Sequence, residues 1–190
     1  MSSSRYVSFY FSKLKRVFIF ILQVHAGAKP HMPERHTGFS MQIAVIGNGH
    51  ATPGECEAAC TAGRLIAGNG AVLVCGGLGG VMEAVCRGAQ EAGGTTVGIL
   101  PGTEGGNPYL GITIRTGLGI ARNVLVVLSA DAVIAIGGSH GTLSEIAIAL
   151  KTGRPVYGID TWDIEGVVPC ASPEDAVTLA VQGAARSRTI

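Results

Sequence analysis

From Met41 onward, short runs of branched apolar residues alternate with helical patterns, and this alternation limits the folds open to the chain. The runs Gln42–Ile46, Val72–Cys75, Thr95–Leu100, Ala132–Ile136 and Val156–Ile159 are continuously apolar rather than alternating. Strands covered on both faces read this way, whereas a strand with one wet face alternates. Between the runs lie helical patterns over Pro53–Ala67, Gly80–Ala92, Gly119–Leu128 and Thr142–Lys151. In the last of these, Leu143, Ile146, Ala147 and Leu150 recur at helical spacing and predict one buried stripe. Pro173, with Ser172 as its cap, predicts a final helix. Strand, helix, strand repeated in this manner implies a parallel sheet with right-handed crossovers. The fold expected is a single-domain α/β, Rossmann-like doubly wound sandwich over residues 41–190.

Residues 1–40 do not share this pattern. They hold six basic side chains against Glu34 alone and all five Phe of the chain, while 27 of its 29 Gly lie after Met41. Two such different halves are not expected to share a core. Three readings compete for the segment: a loose secretory-signal likeness, with basic residues up to Arg16, apolar Val17–Leu22 and Ala26-Gly27-Ala28; a disordered extension; and a start codon assigned too early, with Met41 as the working start.

Composition excludes several classes. Only 14% of residues are charged and 47% are apolar, which does not describe a disordered chain. A formal net charge of +1 lacks the basic excess of a protein that coats nucleic acid. No apolar run approaches the roughly 18–20 residues that span a bilayer. A cytoplasmic protein with neither nucleic acid nor membrane as partner is expected. The five cysteines, 56, 60, 75, 86 and 170, include no CxxC pair. They read as small buried thiols, although Cys56 and Cys60, near His50, leave a metal site open.

Doubly wound sheets bind ligands beyond the carboxyl ends of their strands. Two strands here end in glycine turns that run straight into a helix: Cys75-Gly76-Gly77-Leu78-Gly79-Gly80-Val81-Met82, and Ile136-Gly137-Gly138-Ser139-His140-Gly141-Thr142. Each offers backbone N–H groups and the positive end of a helix dipole, the elements of a phosphate site, and a bare Cα lets an anion approach. The alternative is a tight turn with no ligand. No GxxxxGK[ST] occurs, Gly47-Asn48-Gly49 lacks the third Gly of a dinucleotide fingerprint, and the second strand ends in Cys75 rather than a ribose-binding carboxylate, so nucleoside triphosphate and NAD(P) sites fall away. The long segment Pro101–Leu118 reads as a lid or binding loop.

Glu145 lies one helical turn after Thr142. It either stands beside the phosphate turn, able to meet a ribose or activate a water, or completes a Thr142-x-x-Glu145 capping box. Arg122 precedes the apolar run Val124–Leu128 and is either a surface residue or a bidentate phosphate clamp. Arg115, which closes the long loop, is a weaker candidate of the same kind.

The two turns resemble those of a known superfamily. Gly137-Gly138-Ser139-His140-Gly141-Thr142-Leu143-Ser144-Glu145 is similar to the PGGxGTxxE signature of Lonely Guy (LOG) proteins, and Gly76–Met82 is similar to their other glycine turn. The molybdenum-cofactor carrier branch is nearer, through Glu91–Gly102, Thr116–Arg122 and Gly141–Val156. The resemblance covers Met41 to about Ile159.

It implies a Rossmann-like homo-oligomer, dimeric as in LOG enzymes or tetrameric as in the carriers, with Gly76, Gly77, Gly79, Gly80, Val81, Met82, Arg122, Gly137, Gly138, Ser139, Gly141, Thr142 and Glu145 around a phosphorylated ligand. A carrier would bind molybdopterin cofactor without turning it over. A LOG-type phosphoribohydrolase would cleave nucleoside 5′-monophosphates, AMP or cytokinin ribotides, to base and ribose 5-phosphate, with Arg122 and Glu145 catalytic. A non-catalytic nucleotide-sensing oligomer is the third reading. No required cofactor and no metal are implied. Ile136 in place of the first Pro of the signature, and Asn123 where LOG enzymes usually carry Lys, depart from the hydrolase pattern.

Overall fold

The computed structural model describes residues 40–187, so every reading of the preceding segment lies outside the described residues. Seven strands and five α-helices are present among them. In chain order they are β1 (Gln42–Gly47), α1 (Pro53–Gly68), β2 (Val72–Cys75), α2 (Val81–Glu91), β3 (Thr96–Leu100), β4 (Ile112–Arg115), a 3₁₀ turn (Gly119–Arg122), α3 (Asn123–Leu128), β5 (Ala132–Ile136), α4 (His140–Lys151), β6 (Val156–Ile159), β7 (Val167–Pro169) and α5 (Pro173–Ser187). The sheet is parallel throughout, in the order β4-β3-β2-β1-β5-β6-β7. This is the single-domain Rossmann-like sandwich that the alternating runs predict.

The sheet has a core on each side. Residues of α1, α2 and α5 pack with Ile43, Val45, Leu73 and Ile134 on one face, and residues of α3 and α4 pack with Ala44, Ile46, Val74 and Val133 on the other. Burial on both faces is why these strands read as unbroken apolar runs. Small residues set the spacing: a Cβ on Gly88 of α2 would overlap the backbone of Cys60 in α1. Among the described residues no helix is long and apolar enough to cross a membrane.

Three expectations need correction. Pro101–Leu118 is not one loop, because it supplies edge strand β4, and its Asn107 and Leu110 pack onto the first glycine turn. Gly119–Leu128 is not one helix: a 3₁₀ turn that starts at Gly119, with φ +56°, precedes α3. The stripe of α4 is displaced by one residue, since Thr142, Glu145, Ile146 and Ala149 are buried while Ala147 is exposed. Two polar side chains therefore occupy the inward face.

Topology then locates the site. From β1 the chain winds outward through β2, β3 and β4, then crosses back so that β5 pairs with the other side of β1. That reversal opens a crevice beyond the paired ends Gly47 and Ile136, the place where open α/β sheets bind ligands.

Candidate functional site

A cavity of about 190 Å³ occupies this crevice. Its walls come from the ends of β1 and β2, from Arg122 and Asn123, and from the first turns of α4. Of the residues singled out from sequence, Gly76, Met82, Arg122, Ser139, Gly141, Thr142 and Glu145 line it. Gly77, Gly79, Gly80, Val81, Gly137 and Gly138 do not, and Arg115 stands exposed on β4. Ile46, Gly47, Gly49, Leu78 and Asn123 complete the lining and were not foreseen as site residues.

The two glycine turns spend their backbone groups differently. In the first, Gly77 N–H donates to the Cys75 thiol (3.3 Å) and Val81 N–H to the Asn48 carbonyl (2.9 Å), while Asn107 donates to the carbonyls of Gly77 and Leu78. Gly80 holds φ +65°, and a Cβ there would overlap the Asn48–Gly49 backbone. In the second turn Gly137 N–H is committed to the Ile159 carbonyl at 3.0 Å. Beyond it, Ser139 begins α4 without a side-chain capping bond, so the first-turn N–H groups of His140, Gly141 and Thr142 find no acceptor among the described residues. An uncapped helix start facing a cavity is a site for a negative charge.

Thr142 is therefore the third residue of α4 and not its cap, which overturns the capping-box reading of Thr142 and Glu145. A true capping box forms at α1, where Thr52 Oγ1 accepts from Glu55 N–H and the Glu55 carboxylate accepts from Thr52 N–H at 2.7 Å. Thr142 is 1% exposed and its hydroxyl has no partner. Such a group costs about 1–3 kcal/mol unless something else satisfies it.

Arg122 is buried rather than on the surface, at 6% exposure. It closes the 3₁₀ turn, and its Nη2 donates to the Gly76 carbonyl (3.2 Å) and its Nη1 to Asn123 Oδ1 (3.2 Å). Asn123 also donates to Ser144, whose hydroxyl donates to the Gly141 carbonyl, so the amide ties the guanidinium to α4. The missing Cβ of Gly76 makes room, since the guanidinium atoms lie 2.5–2.8 Å from where that carbon would stand. Nε is buried without a partner. That one N–H of the guanidinium is thus uncommitted.

Glu145 is also buried, with Oε1 3.5 Å from Arg122 Nη1. Burial pushes its carboxyl up to about 7, and the nearby guanidinium only partly offsets this. The same burial lowers the pKa of Arg122, with Glu145 opposing.

Among the described residues no three His, Cys, Asp or Glu side chains converge as a metal site, and Cys60 instead lies beside Glu91. Cys75 and Cys86 are buried thiols, Sγ to Sγ 3.4 Å. Larger clefts of about 280 and 470 Å³ lie among residues 158–170 and 169–179, and the first adjoins the site, since its Trp162 donates to the Ser139 carbonyl at 3.3 Å.

A family model described as the SLOG cluster4 family matches residues 40–185. The chain belongs to that family. An uncharacterized protein of Archaeoglobus fulgidus is 45% identical to this SLOG chain over 148 residues, 77% of this chain and 98% of that protein. Among solved structures, the molybdenum cofactor binding protein from the phototrophic bacterium Rippkaea orientalis is 40% identical, with a TM-score of 0.72 over 77% of this chain and 98% of that one. The molybdenum cofactor carrier protein of Chlamydomonas reinhardtii is 35% identical, with a TM-score of 0.72 over 77% and 99%.

Proposed function

We propose that this SLOG chain binds a phosphorylated pterin or nucleotide, with the phosphate at the uncapped start of α4, and serves as a carrier of molybdenum cofactor. One observation carries the reading: the cavity is lined by the start of α4, whose first-turn N–H groups are free, by Thr142 with its buried unpartnered hydroxyl, and by Arg122, whose Nε–H has no partner. Sites that bury a drug-sized ligand run about 300–1,000 Å³. A cavity of about 190 Å³ suits the phosphate end, with the ring system lying outside it. Likeness to proteins described as molybdenum cofactor carriers supports the choice of ligand.

Exposed apolar side chains support a homodimer or homotetramer. Leu118, Ile120, Leu125 and Leu128 stand on the turn and helix that flank Arg122, Ile120 at 90% exposure. A second copy of the chain would cover them.

A phosphoribohydrolase is the second reading, favoured by Glu145. A carboxyl pushed up to about 7 inside the cavity is poised for acid–base work near neutral pH. The test is to mix the protein with molybdenum cofactor and follow pterin fluorescence through gel filtration, then to assay ribose 5-phosphate release from AMP. Co-elution without release is expected. Release that vanishes in Glu145→Gln establishes the hydrolase, and neither co-elution nor release overturns both readings.

A further inference from the structure

The anion cavity contains one side chain whose charge opposes its ligand. Glu145 lines the cavity beside Thr142 at 7% exposure, and Arg122 is the one charged group bearing on it among the described residues. That guanidinium compensates it poorly. Nη2 is committed to Gly76 and Nη1 to Asn123 at 3.2 Å each, while the contact to Glu145 Oε1 is 3.5 Å. The other neighbouring elements supply no further cation. Asn123 opens α3 as a neutral amide, β1 contributes Ile46 and Gly47, and on β2 the Cys75 thiol is pushed up by its bond to Cys86 and by burial, so it stays neutral.

A phosphate arriving in this cavity meets the same Arg122 and adds its own negative charge. Two anions that share one cation away from water do not both stay fully ionised. We propose that the site takes up its phosphorylated ligand together with one solvent proton, held on Glu145 and donated as a hydrogen bond to a phosphate oxygen. No covalent bond changes: carboxylate, proton and phosphate dianion become carboxylic acid hydrogen-bonded to phosphate. The upward displacement of the free carboxyl to about 7 has the same sense, because the cavity disfavours the second negative charge even before a ligand arrives. The inference rests on the phosphate site proposed above. It makes Glu145 a contact that selects a protonated complex, and it makes neutral to mildly acidic pH the loading condition and alkaline pH the releasing one.

Calorimetric titration of the full chain with inorganic phosphate, at pH 8 in buffers of differing ionisation enthalpy, counts the protons taken up. About one proton per phosphate is expected, with affinity falling about tenfold per pH unit above pH 7. Glu145→Gln is expected to take up close to none and to bind phosphate about tenfold more tightly than wild type at pH 8. The wild-type proton count stands whether or not the variant folds. Phosphate binding without proton uptake overturns this inference and leaves the phosphate site intact, whereas no phosphate binding at any pH overturns both.

Discussion

The two glycine turns look alike in sequence and do opposite work. The Gly76–Met82 turn is mainly a frame: Gly77 and Val81 N–H donate to Cys75 and Asn48, Asn107 holds the carbonyls of Gly77 and Leu78, and Gly80 lets the chain pass against Asn48. The Gly137–Thr142 turn spends Gly137 on the sheet and leaves the next helix start open to a cavity. Both helix starts lack a side-chain cap, and what sets the second apart is that its open N–H groups stand beside the buried, unpartnered hydroxyl of Thr142 on the wall of a cavity. A turn held by contacts to its own chain is measured by stability, and one that opens on a cavity is measured by binding.

The largest expected effect falls on the frame. Gly80→Val forces a branched side chain onto a positive φ and into the Asn48–Gly49 backbone. Strain and overpacking of about 1–3 kcal/mol each take a large share of a typical 5–15 kcal/mol domain stability. A loss of about 10 °C in Tm is expected by thermal unfolding. A variant with unchanged Tm would break the assignment of this turn as structural.

Next comes the pH dependence that Glu145 brings to the second turn. Its carboxyl is raised in the folded protein, from 4.5 to about 7, so the unfolded state releases the proton more readily. The stability tied to the protonated group is fully present below about pH 4.5 and is lost as pH rises to about 7. That displacement corresponds to roughly 3 kcal/mol. Denaturant unfolding from pH 4.5 to 8 should show the decline in wild type and a flatter profile in Glu145→Gln. Parallel profiles would show that the carboxyl titrates normally.

Gly141→Val sharpens the comparison from the other side. A Cβ at Gly141 meets nothing within 4 Å, and the residue lines the cavity. Stability should stay within about 0.5 kcal/mol of wild type. Phosphate affinity should fall at least tenfold, about 1.4 kcal/mol, in calorimetric titration, because the methyls occupy the ligand's approach to the free N–H groups. Equal affinity would remove the start of α4 from the site.

Much of this was legible in the sequence, and the exceptions share causes. β2, β5 and β6 begin and end where the apolar runs do, since burial on both faces writes itself as an unbroken run. β4 and β7 escaped because edge strands need no such run: Ile112 and Ile114 are exposed, and β7 has no buried residue. The T-x-x-E spacing occurs at both Thr52 and Thr142, yet only the first is a cap. Where a helix starts decides it, and α4 starts at His140, ahead of Thr142. The same early start rolls Thr142 and Glu145 inward, which spacing alone could not show. Arg122 was a candidate from its place before α3. Its burial against Gly76 is a contact between residues 46 positions apart, outside the reach of local pattern.

That contact links the first turn, through Arg122, Asn123 and Ser144, to the start of α4, and it defines the smallest and most discriminating effect. Gly76 belongs to the framing turn, yet it lines the cavity and its carbonyl accepts from Arg122. Its φ is not in the left-handed region, so Gly76→Ala adds crowding without backbone strain. The new methyl would stand 2.5–2.8 Å from the guanidinium. The far end of an arginine ordinarily swings away at little cost, but this one is buried and tied to Asn123, which is itself tied to α4. The guanidinium must therefore retreat from Gly76, weakening its hold on both a bound phosphate and Glu145. A loss of about 1 kcal/mol is expected in each readout, a few degrees in Tm and about fivefold in phosphate affinity. Loss of stability alone would confine Gly76 to the frame. Loss of affinity alone would place it wholly in the site, and equal small losses in both are what a residue joining the two turns should give.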